Sequence, residues 1–541
     1  MVLEDCGRTT LLSNNNNENY FSINKLYNIN DISTPAIYEN EVDLTPVQEF
    51  YNEGKVFITG STGFLGKILM EKLLRTCTTI NTFFLLVRSK RGKDLKERVD
   101  EMFDDEIFDM MKKAYPKFRH KIVAIAGDCT MPGLGLSIED RKRLIDEVNI
   151  VFHVAATVRF DEKLANAVAI NVRAPRDMLR LAKEMCNLKV LMHVSTIYAN
   201  CLNHCIEEKV YEPAIEPEKL ILLAENVPAD VLDDMTPKLL GKYPNTYTYT
   251  KQVAETVVAR EFQNMPVAIF RPAIVIPTYK EPVSGWINNL YGPTGIAVGA
   301  GIGLLRTLHC DAKVNANLVP VDMCVNSLIV IAPKIAESFR SKMKTDRSFK
   351  IRVFNYGSTN ESLLTWGAVM DYLKYYGLMT PPLKAMWYLV FDIYKYYPVY
   401  LLMTVLLHTL PAILMDSVLL CTGQKPKMMA IYKKIHKFSN VISYFSTHDW
   451  QIRTDNVLWV QNRLQEMDQK LFLSDLRKID WKEYYEFYVK GVRVYLLKDP
   501  LDTIDKAKVR WKKLYYAHQT IKVLSYMALL WLSFWLIKIL F

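Results

Sequence analysis

The stretch that most limits what this chain can become is "KVFITGSTGFLGKILMEKLLR", Lys55 to Arg75. An apolar strand runs through a glycine turn directly into a segment of helical period. Gly60, Gly63 and Gly66 stand at GxxGxxG spacing in that turn. A side chain at such a turn would hold the backbone away from a pyrophosphate, and the first turn of the following helix favours negative charge. Five more short apolar runs follow: "TFFLLVR", "KIVAIAGD", "NIVFHVAA", "LKVLMHVST" and "PVAIFRP". Helix-length polar or amphipathic segments separate them. This rhythm predicts an α/β fold with a doubly wound parallel sheet buried on both faces.

The turn residues Gly60, Ser61, Thr62, Gly63, Phe64, Leu65 and Gly66 are the expected cradle of a dinucleotide. The second strand ends "LLVRSKRGK". A cofactor lacking the 2'-phosphate would want a carboxylate there for the ribose hydroxyls, and the chain offers Arg88, Lys90 and Arg91 instead. NADPH is therefore expected, with Arg88 and Arg91 on its phosphate; a solvated basic loop is the competing reading. Asp128, after the third strand, is expected either to contact adenine or to cap a helix. Ala155 and Ala156, after the fourth, are small enough for a cofactor to lie close.

"PNTYTYTK", Pro244 to Lys251, sets two tyrosines before one lysine. Residues four apart share a helix face, so Tyr247 faces the way of Lys251 and Tyr249 does not. A nearby ammonium would lower a phenol from its usual pKa of about 10 and make it a usable acid and base. "HVSTIYAN" ends the fifth strand, with Ser195 and Thr196 at the sheet edge where open α/β sheets bind ligands. Either hydroxyl is placed to bond a substrate carbonyl beside Tyr247.

The order of glycine turn, Ser/Thr strand end and YxxxK helix resembles the extended short-chain dehydrogenase/reductases, whose fold is a Rossmann-type sheet. "TGSTGFLGK", "HVAATVRFDE", "HVSTIYAN", "NTYTYTK", "RPAIVIPTYKEPVSGWINN", "GPTGIAVGAG" and "VPVDM" together resemble the fatty acyl-CoA reductases, the family of the plant male-sterility-type proteins. "WKEYYEFYVKGVRVYLLKD" is similar to the C-terminal domain of that family. The resemblance implies that Tyr247 and Lys251 are catalytic and also contact NADPH. It places the strand-end hydroxyl on Thr196, with Ser195 as the competing assignment. It implies reduction of a long-chain fatty acyl-CoA to a primary alcohol through an aldehyde, with release of CoA. Tyr247 and Thr196 would stabilise the oxyanion. Two rivals stand beside this reading: an extended reductase acting on a nucleotide sugar or steroid, and a catalytically silent membrane scaffold.

The chain carries 68 Lys plus Arg against 58 Asp plus Glu. Residues 421–541 hold 21 and 11 of these, so the rest is balanced and the basic excess belongs to the C-terminal part. No nucleic-acid motif accompanies it, and flanking apolar segments favour an anionic membrane surface or an anionic cofactor. Nine cysteines without a CxxC pair fit a reducing, cytosol-facing location. Cys201, His204 and Cys205 in "CLNHC" lack a second ligand pair, so no metal site is expected.

The expected organisation is a disordered tail at 1–50 and an NADP-binding reductase domain at 51–340. A connecting, substrate-side segment follows at 341–396. Residues 397–421 form a membrane-associated hairpin or buried helix pair, because Asp416 argues against a full span. A basic, aromatic, mainly helical domain occupies 422–520, and 521–541 form a transmembrane or interfacial anchor. Partners are then the acyl-CoA and membrane lipid. The expected site is the endoplasmic reticulum membrane, with the peroxisomal membrane as alternative and the catalytic domain in the cytosol. The glycine-rich run from Gly285 to Gly303 is read either as lying on a ligand or as mobile.

Overall fold

The computed structural model describes residues 43–89, 94–262, 264–344, 350–359 and 362–540. Its main elements are strands β1 (Lys55–Thr59), β2 (Thr82–Val87), β3 (Ile122–Ala126), β4 (Ile150–His153), β5 (Val190–Val194), β6 (Val267–Pro272) and β7 (Arg352–Tyr356). Helices α1 (Phe64–Thr76), α2 (Ala174–Glu184), α3 (Thr246–Glu261), α4 (Pro293–Gly301), α5 (Val321–Lys344) and α6 (Trp366–Met379) alternate with them. The C-terminal part is built from α7 (Tyr397–Cys421), α8 (Met428–Thr447), α9 (Trp481–Gly491) and α10 (Ile504–Leu540).

The seven strands form one parallel sheet in the order β7-β6-β5-β4-β1-β2-β3. The chain leaves β1 toward one edge and returns at β4 on the other side, so the order reverses between β1 and β4. A crevice opens at the C-terminal ends of strands at such a switch point. Alternate residues serve two cores: Val56 and Ile58 of β1 pack into one, Phe57 into the other. Burial on both faces is why each strand reads as an unbroken apolar run.

Several expected boundaries move. The tail does not extend to residue 50: Pro46–Tyr51 is a helix, and the buried Tyr51 hydroxyl donates to the Ile329 carbonyl of α5 at 2.8 Å. Residues 1–42 lie outside the described residues. The sheet does not close before residue 340 either, since β7 adds to it beside β6 in register Val353↔Ile269. The glycine-rich run neither faces a ligand at Gly285 nor dangles there. Gly285 has φ +76°, and a Cβ on it would lie 2.3 Å from the Phe487 carbonyl oxygen of α9. A Cβ on Gly491 would in turn lie 1.8 Å from the Gly285 carbonyl oxygen. Two backbones touch, and glycine permits it.

Residues 397–421 are one helix with a π turn at Val405–Thr409, not a hairpin or a buried pair. Leu402, Leu414 and Val418 lie exposed along it. Asp416 is turned inward: its carboxylate accepts the N–H groups of Lys427 and Met428 at 2.8 and 2.9 Å and that of Met429 at 2.9 Å. It caps the start of α8 from a neighbouring helix. Helix α10 runs unbroken through the expected boundary at 520/521, and residues 521–539 of it are exposed.

Candidate active site

The turn after β1 is held to the end of β4 by one hydroxyl. Thr59 Oγ1 accepts the N–H groups of Val154 and Ala155 at 3.1 and 3.2 Å and lies 2.9 Å from His153 Nδ1. Gly60 has φ +73°, and a Cβ there would sit 2.8 Å from the Ala155 nitrogen. A Cβ on Gly66 would sit 2.2 Å from the Gly60 oxygen. Gly63 is the N-cap of α1 and supplies no side-chain cap, which leaves the helix N–H groups for an outside acceptor. Ser61 Oγ is buried without a partner among the described residues. Buried hydroxyls are seldom left so. A dinucleotide diphosphate fits this cradle.

Thr62 is exposed at the turn, and Leu65, Ala155 and Ala156 are half-buried around it. The Phe64 ring stacks on Trp286 with centroids 5.5 Å apart, so Phe64 offers the cradle its backbone alone. Arg88 is exposed, with Nε 3.9 Å from Asp128 Oδ2. Asp128 Oδ1 accepts the N–H of Thr130 at 2.8 Å, so this carboxylate caps the turn after β3 and faces Arg88 with its other oxygen. Lys90 and Arg91 lie outside the described residues.

Helix α3 begins at its N-cap Asn245, whose side chain accepts the Thr248 N–H at 2.9 Å. Tyr247 emerges on the sheet side, its ring against Phe160 at 5.8 Å and its hydroxyl beside Thr196, whose Oγ1 donates to the Pro272 carbonyl at 3.4 Å and accepts the Tyr198 N–H at 3.3 Å. Tyr249 points the other way into the core against Tyr243, as the spacing requires. Lys251 is buried and donates from Nζ to the Val194 carbonyl at 2.7 Å. Burial lowers its pKa to about 8, partly opposed by the Glu255 carboxylate one turn on.

The expected lowering of Tyr247 by Lys251 is not present. Burial pushes the phenol up to about 12, and only the neighbouring Thr196 hydroxyl pulls against it. The lysine charge is spent on a strand carbonyl and on Glu255. Ser195 and Thr196 also part company. Ser195 Oγ donates to Glu255 Oε1 at 2.6 Å, inside a buried network in which Arg271 donates to the same carboxylate at 2.7 and 2.6 Å. Of the two, only Thr196 acts on the Tyr247 phenol.

Some contributors gave no local signal in the sequence. Asn171, fully buried in a π turn, donates to Thr250 Oγ1 of α3 at 3.0 Å and to the Thr157 carbonyl at 3.1 Å, and its Oδ1 accepts the Thr157 N–H at 3.0 Å. It fastens the loop after β4 to α3. His153 and His193, neighbours in register on β4 and β5, stack at 5.5 Å under Lys251. Burial first, and the Lys251 charge second, drives His153 down to about 3 and His193 well below its ordinary value, so both are neutral. A basic residue inside an apolar strand was the available hint.

A family profile described as male sterility protein matches residues 58–328, and a second with the same description matches residues 407–499. The chain is 43% identical over 497 residues to fatty acyl-CoA reductase wat of Drosophila melanogaster, covering 92% of this chain and 94% of that one. It is 40% identical over 471 residues to fatty acyl-CoA reductase 1 of Homo sapiens, covering 87% and 90%. Among solved structures, the terminal reductase domain from the myxalamid biosynthetic pathway aligns with TM-score 0.53 at 18% identity, covering 83% of this chain and 92% of that one. The reductase domain of a nonribosomal peptide synthetase from Mycobacterium tuberculosis aligns with TM-score 0.53 at 15%, covering 82% and 92%, and both share the fold. Because the sequence similarity extends through the helical C-terminal part as well as the dinucleotide-binding sheet, this chain belongs to the fatty acyl-CoA reductase family.

Proposed function

We propose that the protein reduces long-chain fatty acyl-CoA to the primary alcohol, with NADPH as reductant and release of CoA through an aldehyde. The observation that carries this reading is the Tyr247 hydroxyl, beside Thr196 and one helical turn before the buried Lys251 at the open end of the sheet. Bound NADPH supplies hydride, one equivalent for each of two reductions. The residues of the chain do the rest. A phenol raised to about 12 stays protonated at neutral pH, so Tyr247 donates a hydrogen bond to the acyl oxygen as charge develops on it. Thr196 orients that hydroxyl and shares the oxyanion. Lys251, held by the Val194 carbonyl, keeps a positive charge beneath the site and is proposed to reach the nicotinamide ribose. Gly60 to Gly66 hold the diphosphate, with Ser61 Oγ as an added donor, and Arg88 with Arg91 selects the 2'-phosphate. Ser195 positions Glu255 and is not assigned a role on substrate.

The membrane reading rests on two helices long and apolar enough to cross, Tyr397–Cys421 and Leu501–Ile539. Residues 521–540 of α10 span roughly 30 Å at 1.5 Å per residue, the thickness of a bilayer core. The Lys-rich turn before them favours a cytosolic start and a lumenal end. The inward Asp416 and the exposed apolar flank of α7 favour an interfacial position for that helix. The endoplasmic reticulum is the proposed compartment, with the peroxisome as alternative.

The experiment is incubation of the purified full-length protein with radiolabelled hexadecanoyl-CoA and either NADPH or NADH. Hexadecanol, free CoA and two oxidised cofactors per CoA are expected with NADPH. No turnover of acyl-CoA, or equal use of NADH, overturns the substrate or the cofactor respectively.

A further inference from the structure

Between Asp416 and Asp449 the chain carries five lysines and no carboxylate. Lys425 and Lys427 precede α8, next to the Asp416 cap. Lys433, Lys434 and Lys437 stand on α8 itself, and all three are exposed. By helical period they share an arc of about 100°, facing away from the stripe on which Tyr432, Ser439 and Ile442 are buried. This arc leads to the loop that carries the ring against Tyr247. Lys437 Nζ lies 3.2 Å from Asp161 Oδ2, and Arg159 Nη2 lies 3.7 Å from Asp161 Oδ1. Phe160 stands between Arg159 and Asp161 in the chain, with its ring 5.8 Å from Tyr247 and 5.5 Å from Phe445, further along α8. Arg159 is too far from that carboxylate for a hydrogen bond, and Lys437 keeps two further N–H groups to give. Lys433 and Lys434 form no ion pair among the described residues. Four cations therefore meet one carboxylate, and three positive charges face outward uncompensated.

The reaction proposed above says which anion arrives there. Its thioester carbonyl must reach Tyr247, whereas CoA carries its phosphates at the far end of the pantetheine arm. Cations that serve CoA therefore stand back from the phenol rather than beside it. Lys437 precedes Phe445 by roughly 12 Å along the helix axis, and Lys433 lies one turn further back. A 3'-phosphomonoester of charge about −1.5 to −2, together with a diphosphate, matches the uncompensated cations in sign and number. The loop after β4 meets the dinucleotide cradle at Ala155 and α8 at Asp161, so the two nucleotides would approach Tyr247 from opposite ends of one loop. An anionic bilayer is the other source of phosphate. It accounts for Lys425 and Lys427, close to the apolar flank of α7, but not for two cations closed around the carboxylate next to Phe160.

We propose that Arg159, Lys433, Lys434 and Lys437 bind the 3'-phosphate and diphosphate of CoA, so that the C-terminal helices hold the leaving group while the sheet holds NADPH. The identity of the ligand rests on the reductase reading; the basic arc does not. The test is calorimetric titration of CoA into the full-length protein in phosphatidylcholine nanodiscs, with NADP+ at saturation so that the dinucleotide cradle is already filled. Wild type is expected to bind CoA more tightly than 3'-dephospho-CoA and to lose affinity as NaCl is raised. Combined Lys433→Gln, Lys434→Gln and Lys437→Gln substitution should weaken CoA about tenfold, and each single change, or Arg159→Gln, about two- to threefold. The single variants carry the test if the triple variant does not fold, and NADPH fluorescence reports folding in each. In turnover, the preference in kcat/KM for hexadecanoyl-CoA over hexadecanoyl-pantetheine should fall in the triple variant by the same factor. CoA affinity indifferent to these substitutions overturns the proposal. So does a triple variant that loses only its binding to phosphatidylserine vesicles, which would assign the arc to the bilayer. A protein that makes no alcohol but binds CoA through these lysines loses the reaction and keeps the subsite; one that makes alcohol with CoA affinity unmoved keeps the reaction and loses the subsite.

Discussion

Ser195 and Thr196 are adjacent, yet their hydroxyls serve different partners, and substitution separates them. Thr196→Ala is expected to lower kcat roughly 100-fold, because it removes a group that acts on the developing charge, with a modest loss of Tm from the Tyr198 N–H that it caps. Ser195→Ala leaves a buried carboxylate one bond short, worth about 1.5–3 kcal/mol, so it lowers Tm while kcat per folded molecule changes little. Steady-state kinetics and thermal unfolding of both variants decide it, and the reverse pattern would exchange the assignments. Tyr247→Phe should nearly abolish turnover, whereas Tyr249→Phe removes a buried hydroxyl that has no partner among the described residues and should be close to neutral. Lys251 sets the pH dependence. Its pKa of about 8 means that it is charged below that pH and neutral above it, so kcat/KM should fall as pH rises through about 8. Lys251→Arg keeps its charge and should move that limb upward; a limb unmoved in a variant that still binds NADPH would assign it to another group. The sign for stability is the opposite. The unfolded chain holds this proton up to about 10.4, so the contribution of Lys251 to stability grows from pH 8 to that value.

Helix α8 takes its N-terminal cap from another element, the Asp416 carboxylate of α7. That explains an acidic residue inside an otherwise apolar helix, and it locks the two helices at one register. Asp416→Ala would leave three N–H groups without their acceptor and should cost about 1–2 kcal/mol, read from chemical unfolding in detergent. Asp416→Asn retains an oxygen and should recover much of this. If Ala and wild type unfold alike, the cap is not holding the junction. The same logic of contact between elements governs the glycines: Gly285 and Gly491 are small because α9 and the loop after β6 meet backbone to backbone.

The proposed attachment to a bilayer belongs to the scale of the whole chain, since α10 roots in the C-terminal core at Trp511 and projects beyond it. The full-length protein should remain in the membrane pellet after carbonate extraction. Deletion of residues 521–541 should release a substantial fraction but not all, because the apolar flank of α7 is still present. Complete release would remove α7 from the membrane face, and no release would make α10 dispensable. A glycosylation acceptor added after Phe541 should be modified if the end crosses.

Local chemistry was enough for the sheet, the dinucleotide turn and the opposite orientations of Tyr247 and Tyr249. These depend on strand period, on a turn that only glycine can make and on helical spacing, all of which lie within a few residues of one another. β7 escaped because "RVFNY" lies far along the chain from the other strands and pairs with β6 only across a long connection. The partition of Ser195 and Thr196, the inward turn of Asp416, and the neutral His153 and His193 pair depend on which groups from distant segments share a buried space. Tertiary structure alone decided the protonation of the site as well. Spacing placed Lys251 on the face of Tyr247, but desolvation in the folded core raised the phenol and lowered the amine, because burial disfavours charge on either.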